Sequence, residues 1–186
     1  MKQYGVTLPE ILALVAVFSI VMGLAIPSLE GMIQRSRATS SINWLVRGIH
    51  FARQSAILKN SFITLCPNSD GSAQCTSGWQ NGLLVFTDAN QNASVDGKDL
   101  ILARFLPEQP SGSIKWRSFR NRQYLQFTPF GYTNSQNGNF TYCPSDNDLR
   151  NARQVLLNAQ GRLRAIVNIN PQGERLDRKG KLLRCN

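Results

Sequence analysis

Apolar and polar positions divide the chain into an apolar stretch, an amphipathic stretch and a long series of short apolar segments. From Ile11 to Ile26 no residue carries a formal charge. At about 1.5 Å per residue this stretch covers roughly 24 Å as a helix, and with Val6 to Pro9 added it approaches the length that spans a bilayer. From Met32 onward apolar residues recur at helical spacing among arginines, which predicts an amphipathic helix to about Leu58.

Beyond residue 59 the pattern favours short strands. Apolar and β-branched segments alternate with turn residues at 62–65, 83–86, 100–102, 114–127, 140–142, 154–157 and 162–169. Asn158 to Gly161 separates the last two segments and predicts a hairpin turn. One long helix followed by many short strands predicts an α+β fold.

A carboxylate, Glu10, stands at the head of the apolar stretch. A carboxylate at membrane depth costs about 2.5 kcal/mol or more and usually signals function. An ordinary membrane anchor therefore leaves Glu10 unexplained. A secretory signal peptide is the other alternative, but residues 25–28 form only a weak cleavage motif.

The N-terminal residues resemble a type IV prepilin signal, in which a dedicated peptidase cuts after the Gly of a short basic leader. The new N-terminus of such proteins is methylated, and their fifth mature residue is Glu. The resemblance implies a leader over residues 1–5, cleavage between Gly5 and Val6, a helix over 6–58 with its membrane segment at about 6–29, and a head over 59–186. Glu10 then occupies the fifth mature position, where it would neutralise the terminal amine of a neighbouring subunit during assembly.

Two residues depart from the usual prepilin pattern. Val6 stands where Phe is usual, and Pro9 stands where an aliphatic residue is usual. Pro9 would lie in the first helical turn, where its missing N–H is not needed.

Several blocks of the head resemble the FimT/FimU and pseudopilin H family of minor pilins. These blocks are ARQSAILKNSFITLCP, GLLVFTDANQNASVDGKDLIL, LQFTPFGYTNSQNGNFTYC and RQVLLNAQGRLR. The resemblance implies the type IV pilin fold, with a long N-terminal helix, transmembrane in its first half, packed on a β-rich globular head. It also implies a single-pass inner-membrane protein with a periplasmic head before assembly, an extracellular pilus afterwards, and other minor and major pilins and the prepilin peptidase as partners.

The four cysteines all follow the apolar stretch, so in this topology they would face an oxidising periplasm, where disulfides persist. Three pairings are possible. We favour Cys66–Cys75, which closes a short loop, and Cys143–Cys185, which ties the tail to the body. A zinc site is disfavoured, because no pair has CxxC spacing and His50 is the sole histidine.

Positive charge is concentrated in the second half of the chain. The net charge is +10, of which residues 103–186 contribute +9, from 14 basic and 5 acidic side chains. Such a cationic head attracts polyanions: DNA, anionic lipid or polysaccharide.

The GRLR motif is the most specific candidate for a binding site within this cationic half. Gly161 can supply the positive φ of a tight turn. Arg162 and Arg164 would then alternate along a strand and share one face, about 6.6 Å apart, with Leu163 and Ala165 facing inward. The FimT branch carries a GRxR motif associated with DNA binding in natural transformation, so the resemblance implies phosphate contacts here. The alternative is a solvated strand face.

Two further basic segments extend the candidate site. KWRSFRNR interleaves cations with aromatic rings, which suits nucleic acid; alternatively Trp116 and Phe119 are core residues and the cations are solvated. The tail RLDRKGKLLRC adds more cations, which the second disulfide would hold near the head. The candidate DNA-binding residues outside GRLR are Lys115, Arg117, Arg120, Arg122, Arg178, Lys179 and Lys181.

The segment DANQNASVDGKD has EF-hand-like spacing, with Asp88, Asn90, Asn92, Asp96 and Asp99 at the first, third, fifth, ninth and twelfth places. Ala93 replaces the usual Gly, and Asp99 replaces the usual Glu. We therefore favour a polar Asx-rich turn over a calcium loop and expect no metal.

These patterns contain no catalytic constellation, so we expect neither an enzyme nor a cofactor. The favoured function is a minor type IV pilin at the pilus tip that binds DNA non-specifically for uptake. A structural priming subunit without DNA binding and a type II secretion pseudopilin are the alternatives.

Overall fold

The computed structural model describes residues 7–107 and 111–185, apart from the side chains of residues 24–28. The chain forms two compact units, Met1–Ser36 and Arg37–Asn186. Helix α1 spans Leu8–Lys59 and contributes to both. It ends at Asn60, whose φ of 48° lies in the left-handed region that asparagine tolerates better than most residues.

In the first unit, α1 presents large apolar side chains to the surface. Of the residues that the structure describes, none form a helical stretch with the length and apolar character that crossing a bilayer requires, so the single membrane pass stays a prediction. The exposed apolar residues of this unit are Leu8, Ile11, Leu12, Leu14, Val15, Val17, Phe18, Ile20, Val21, Met22, Leu29, Met32 and Ile33.

The second unit contains two four-stranded antiparallel sheets. The first sheet has the order β3-β2-β1-β5 and the second has the order β4-β6-β7-β8. A tight turn at Phe119–Asn121, with left-handed backbone angles at Arg120, follows β4. The strands are β1 Ile63–Pro67, β2 Leu83–Thr87, β3 Ile101–Phe105, β4 Ser113–Ser118, β5 Leu125–Phe127, β6 Gly138–Cys143, β7 Arg153–Leu157 and β8 Leu163–Ile166.

One hydrophobic core joins the C-terminal part of α1 to both sheets. Leu45 and Ile49 of the helix are almost fully buried. The first sheet contributes Ile63, Leu65, Leu83, Val85, Leu125 and Phe127, and the second contributes Ile114, Trp116, Phe140, Tyr142, Val155 and Leu157. Because successive side chains of a strand point to opposite faces, these residues define the inner face of each sheet. The remaining side chains form the outer faces. The α+β prediction is confirmed.

Both predicted disulfides are present. Cys66 and Cys75 are joined with an S–S distance of 2.05 Å, and Cys143 and Cys185 with one of 2.06 Å. The second bridge links the end of β6 to the C-terminal tail. It therefore fixes the tail against the second sheet, beside the strands that carry the candidate site.

Candidate functional site

The outer face of the second sheet is polar and cationic. Strand register places Lys115 opposite Thr141 and Arg117 opposite Asn139. The same register places Leu156 opposite Arg164, so cations from both edge strands share this face. The inner residues between them are buried, as the alternating burial of β4 shows. The arrangement leaves the charged ends of Arg117 and Arg164 in solvent.

The β7–β8 hairpin presents the GRLR motif. The Gly161 N–H donates to the Asn158 carbonyl at 3.0 Å, and the Arg162 N–H donates to Asn158 Oδ1 at 2.9 Å. These bonds close the predicted turn. Arg162 precedes β8 and Arg164 lies within it, and both are exposed. The turn therefore brings two guanidinium groups to the rim of the outer face.

Gly161 has a clear role in shaping the turn. Its φ is 72°, and a Cβ there would lie 2.5 Å from the Gly131 carbonyl oxygen and 3.0 Å from Arg53 Nε. Arg53 of α1 itself donates to that Gly131 carbonyl at 2.9 Å. The hairpin is thus seated on the helix through a contact that only glycine permits. Ala165, predicted to face inward, is exposed, because β8 is the edge strand of its sheet.

The tail folds back over the same face through two tight turns. Asp177 closes the second turn, since its Oδ1 accepts the N–H groups of Lys181 at 2.9 Å and Lys179 at 2.7 Å. These bonds, the one from Lys181 first, lower the pKa of Asp177 from its ordinary value of 3.8. The carboxylate that shapes the turn is therefore charged at neutral pH, and the turn presents Arg178, Lys179 and Lys181.

Tail and sheet together enclose two adjoining grooves of about 990 and 740 Å³. Both are lined by Asn139, Gln154, Asp177 and Lys179. Among the described lining residues Asp177 is the single acid, so each groove carries net positive charge. The cations are Lys115, Arg117, Lys179, Lys181 and Arg184 in the first groove, and Arg162, Arg164, Arg178 and Lys179 in the second.

One groove cation also holds the tail in place. Lys115 Nζ donates to the Cys185 carbonyl oxygen at 2.6 Å. Cys185 is thus held to the second sheet both by this hydrogen bond and by its disulfide to Cys143. Lys115 therefore contributes to the architecture of the first groove as well as to its charge.

Arg120 and Arg122 do not line the grooves. They lie in the loop after β4, where Arg120 Cζ is 5.6 Å from the centre of the Phe119 ring and Arg122 Cζ is 5.8 Å from that of Tyr124. Each alternative for this segment is half right. Trp116 is a core residue, as the solvated-face interpretation required, whereas Phe119 is 57% exposed and not in the core.

The EF-hand-like segment directs its first carboxylate into the protein. Asp88 is fully buried and accepts hydrogen bonds from Thr64 Oγ1 at 2.6 Å and Gln126 Nε2 at 2.7 Å. It also accepts the backbone N–H groups of Asn92 and Ala93, both at 3.0 Å. Asn90 donates to Asp96, and Asp99 accepts the Asp96 N–H. This bonding pattern is that of an Asx-rich turn.

The N-terminal candidates are only partly described. Gly5 and Val6 lie outside the described residues. Glu10 lies in the first turn of α1, is exposed, and accepts the Thr7 N–H at 3.4 Å through Oε2. A carboxylate in that position interacts favourably with the positive end of the helix dipole.

Sequence reasoning missed the polar floor of the grooves. Asn139, Thr141 and Gln154 form a small network there, with Gln154 Nε2 donating to Thr141 Oγ1 at 3.1 Å. The signal was present, because Asn139 and Thr141 alternate with the apolar residues of β6. This alternation identifies a polar outer face of the sheet only when the strand order, with β6 between β4 and β7, is known.

Comparisons with known proteins place these features in a family context. The profile of the family described as type II transport protein GspH matches residues 41–161, more than half of the chain. No match was found among curated proteins.

Solved structures add a likeness of fold. The type IV minor pilin FimU of Pseudomonas aeruginosa strain PAO1, in space group P2₁, is 16% identical, with a TM-score of 0.55 over 78% of this chain and 96% of that chain. A second crystal form of FimU, in space group P6₅, is also 16% identical, with a TM-score of 0.45 over 74% and 95%. The first likeness shows that the protein has the type IV pilin fold.

Proposed function

The chain belongs to the GspH family of type II transport proteins, and we propose that it is a minor pilin whose head binds DNA through its phosphates. Membership of this family and the pilin fold make the protein a pilin-like structural subunit and not an enzyme. The proposal concerns what this subunit adds to a filament. It rests on the outer face of the second sheet.

The observation that carries the proposal is the collection of cations from three separate parts of the chain around two adjoining grooves. Strand β4 supplies Lys115 and Arg117, the hairpin supplies Arg162 and Arg164, and the tail supplies the rest. Arginine suits this task because its planar guanidinium can donate two parallel hydrogen bonds to one phosphate. An exposed cationic face of this kind matches a polyanion that runs along it.

Phosphate contacts carry no sequence information, so binding should be largely independent of DNA sequence. A single head should bind with a Kd on the order of 10⁻⁴–10⁻⁶ M at physiological salt. Several heads on one filament would raise the avidity. Binding that depends on phosphates should also weaken steeply as salt is added, because each neutralised phosphate releases counterions.

The double variant Arg162→Gln with Arg164→Gln tests the proposal. Binding of duplex DNA to the detergent-solubilised chain is measured by mobility shift at several salt concentrations. The slope of log K against log salt should flatten by about 1.8, since each lost phosphate contact removes about 0.9. The fold should be unaffected, because exposed substitutions usually change stability by less than about 0.5 kcal/mol.

Arg47→Gln with Lys98→Gln is the matched control. It removes the same net charge from exposed positions that do not line the grooves. The control should change the salt slope little. Equal slopes for wild type and the groove variant would contradict the proposal, as would equal flattening in the groove variant and the control.

A type II secretion pseudopilin is the second candidate, favoured by the description of the matching family. A third possibility is a subunit that primes filament assembly without contacting DNA. Both predict that the groove variant behaves like wild type in every assay of DNA. DNA uptake that falls while pili remain normal would favour the first proposal over both alternatives.

The assembly properties implied by the prepilin resemblance belong to the same proposal. Processing by prepilin peptidase between Gly5 and Val6, methylation, and insertion in the inner membrane before assembly would precede incorporation beside other minor and major pilins. The exposed position of Glu10 in the first turn of α1 supports its role as a counter-charge, because a neighbour's terminal amine could reach it there. The filament would then present the cationic head outside the cell.

A further inference from the structure

The loop that follows β4 holds an aromatic side chain outside the core. Phe119 is 57% exposed. The next two residues, Arg120 and Asn121, have φ values of 64° and 50°. A left-handed backbone at a non-glycine residue costs roughly 1–2 kcal/mol per residue in L-amino acids, and such outliers cluster at functional sites. The loop therefore keeps Phe119 in solvent with a backbone conformation that is unfavourable at Arg120 and tolerated at Asn121.

Each aromatic ring of this loop has an arginine beside it. The Arg120 guanidinium carbon lies 5.6 Å from the centre of the Phe119 ring, and that of Arg122 lies 5.8 Å from the centre of the Tyr124 ring. Tyr124 packs partly against the buried cluster of Cys66, Leu84 and Phe86 and so anchors the loop. The result is one solvent-facing ring within a cationic surround.

The loop continues the second groove. The Phe119 N–H donates to the Asn137 carbonyl oxygen at 2.9 Å, and Asn137 lines that groove together with Arg162 and Arg164. Ser118, just before the loop, pairs with Gly138, which is another lining residue. The sequence from residue 113 to 143 contains four basic residues and no acidic residue. A nucleic-acid strand that leaves the groove at Asn137 therefore meets Phe119 without passing a carboxylate on this segment.

We propose that this loop, with Phe119 as its central ring, is a base-stacking platform that gives the head a preference for single-stranded DNA. The inference rests on the proposed function and specifies the form of DNA that it takes. In a duplex the base faces are occupied by neighbouring bases, so only the phosphates are available to the protein. An unpaired base can place its π face on the exposed ring while its phosphates occupy the groove, which is how sequence-tolerant single-strand sites are built.

Fluorescence anisotropy on the full chain in non-ionic detergent tests the inference with two labelled probes. The probes are an oligothymidylate of about 16 nucleotides and a duplex of equal length. The length of about 16 nucleotides is the upper end of the range that one OB fold binds in known single-strand-binding proteins. Phe119→Leu should weaken oligothymidylate binding about tenfold, the order of magnitude expected for one lost stacked base. Duplex binding should change by less than twofold. Phe119→Trp should retain or strengthen the preference for the single strand.

Phe130→Leu is the matched control, because Phe130 is also exposed, at 79%, but lies in a different loop. It should alter binding of neither probe. Unchanged oligothymidylate binding in Phe119→Leu overturns the inference, as does an equal loss for both probes. If wild type binds duplex DNA with the predicted salt dependence but shows no single-strand preference, the proposed function survives and the stacking platform is wrong. If wild type binds neither probe, the proposed function itself fails.

Discussion

The two sheets of the head have the same number of strands and share one core, yet their outer faces differ. On the first sheet, the outer residues Cys66, Leu84 and Phe86 are fully buried and form a second small cluster. On the second sheet, most outer residues are polar or cationic, with Leu156 and Ile166 among them, and Arg117 and Arg164 on the edge strands are exposed. The outer face of the first sheet is thus covered by apolar packing, whereas that of the second meets the charged tail across polar residues such as Thr141 and Gln154.

The cover of the first sheet consists of loops tied down by buried polar bonds. Asp88 joins the 88–99 loop to Thr64 and Gln126 on the outer face of that sheet. The Cys66–Cys75 bridge fixes a second loop there. The second sheet lacks such an apolar lid in the described part of the chain and instead meets a charged tail. Where a sheet face is open to water, it can carry the cations that bind a polyanion.

Placing an arginine on the outer face of each sheet in turn should reveal the largest difference in stability. Phe86→Arg places a guanidinium in a site that is fully buried, where it finds no designed partner. We expect a loss of more than about 4 kcal/mol in the free energy of unfolding, or failure to fold. Leu156→Arg, on the outer face of the second sheet, should cost less than about 1 kcal/mol, because Leu156 is only half-buried.

Urea denaturation and the DNA salt slope together measure this contrast. Leu156→Arg should steepen the slope by about 0.9, as one added phosphate contact would. Similar stability losses for the two arginine variants would show that the faces are equally covered, against the difference described above.

Removing the disulfide at each sheet should also affect the two sheets differently, but by a smaller amount than the arginine substitutions. Cys143→Ser with Cys185→Ser opens a link over 42 residues and should lower stability by about 2–4 kcal/mol. The freed tail should also weaken DNA binding, because its cations no longer border the grooves. Cys66→Ser with Cys75→Ser opens a link over only 9 residues, so its stability loss should be smaller.

DNA binding discriminates between these two disulfide variants at a temperature where both remain folded. Only the Cys143/Cys185 variant should bind more weakly. An unchanged affinity in that variant would mean that the tail adds no contacts.

The smallest expected effect is on the pH dependence of stability, and it involves two carboxylates that close turns, Asp177 and Asp70. Hydrogen bonds lower the pKa of Asp177, chiefly from the Lys181 N–H, and that of Asp70, chiefly from the Ser72 N–H, below 3.8. A lowered folded-state pKa contributes stability that is present above about pH 4 and is lost as the pH falls through the folded-state value. Asp177→Asn and Asp70→Asn should therefore each make stability slightly less dependent on pH in acid, as measured by urea midpoints.

At neutral pH these two variants should differ in their effect on DNA binding. Asp177→Asn removes the acid that lies between the grooves, while its amide oxygen can still accept the turn hydrogen bonds. Its affinity should rise about two- to fivefold, the effect of removing one nearby repulsive charge at the surface. Asp70→Asn should leave DNA affinity unchanged, and an equal rise in both variants would contradict the placement of Asp177 at the site.

Local signals were sufficient for much of the fold. Asn60 marks the end of α1 by adopting a left-handed conformation, one residue after Lys59 and close to the predicted end at Leu58. The Asn158–Gly161 turn and both disulfides also follow from residue types whose geometry is nearly fixed. Each of these features depends on contacts among a few residues or on one covalent bond.

The site itself could not be derived in the same way. The grooves depend on strand order, since β4 and β7 flank β6 although residues 119–137 intervene between β4 and β6. The single segment predicted over 114–127 is interrupted by positive φ at Arg120 and Asn121; asparagine tolerates this conformation, but arginine gives no signal of it. Arg120 and Arg122 were grouped with Lys115 and Arg117 for that reason, although the chain turns away between them.

The Cys143–Cys185 bridge also determines how the head responds to a pulling force. If the tail binds DNA as proposed, its cations would transmit the tension on that DNA to β6 through a covalent bond, and not through the few hydrogen bonds of the tail. Strand β6 lies inside its sheet, with a neighbour on each side. The load is therefore shared by two ladders of hydrogen bonds, and the tail cannot be peeled away one bond at a time.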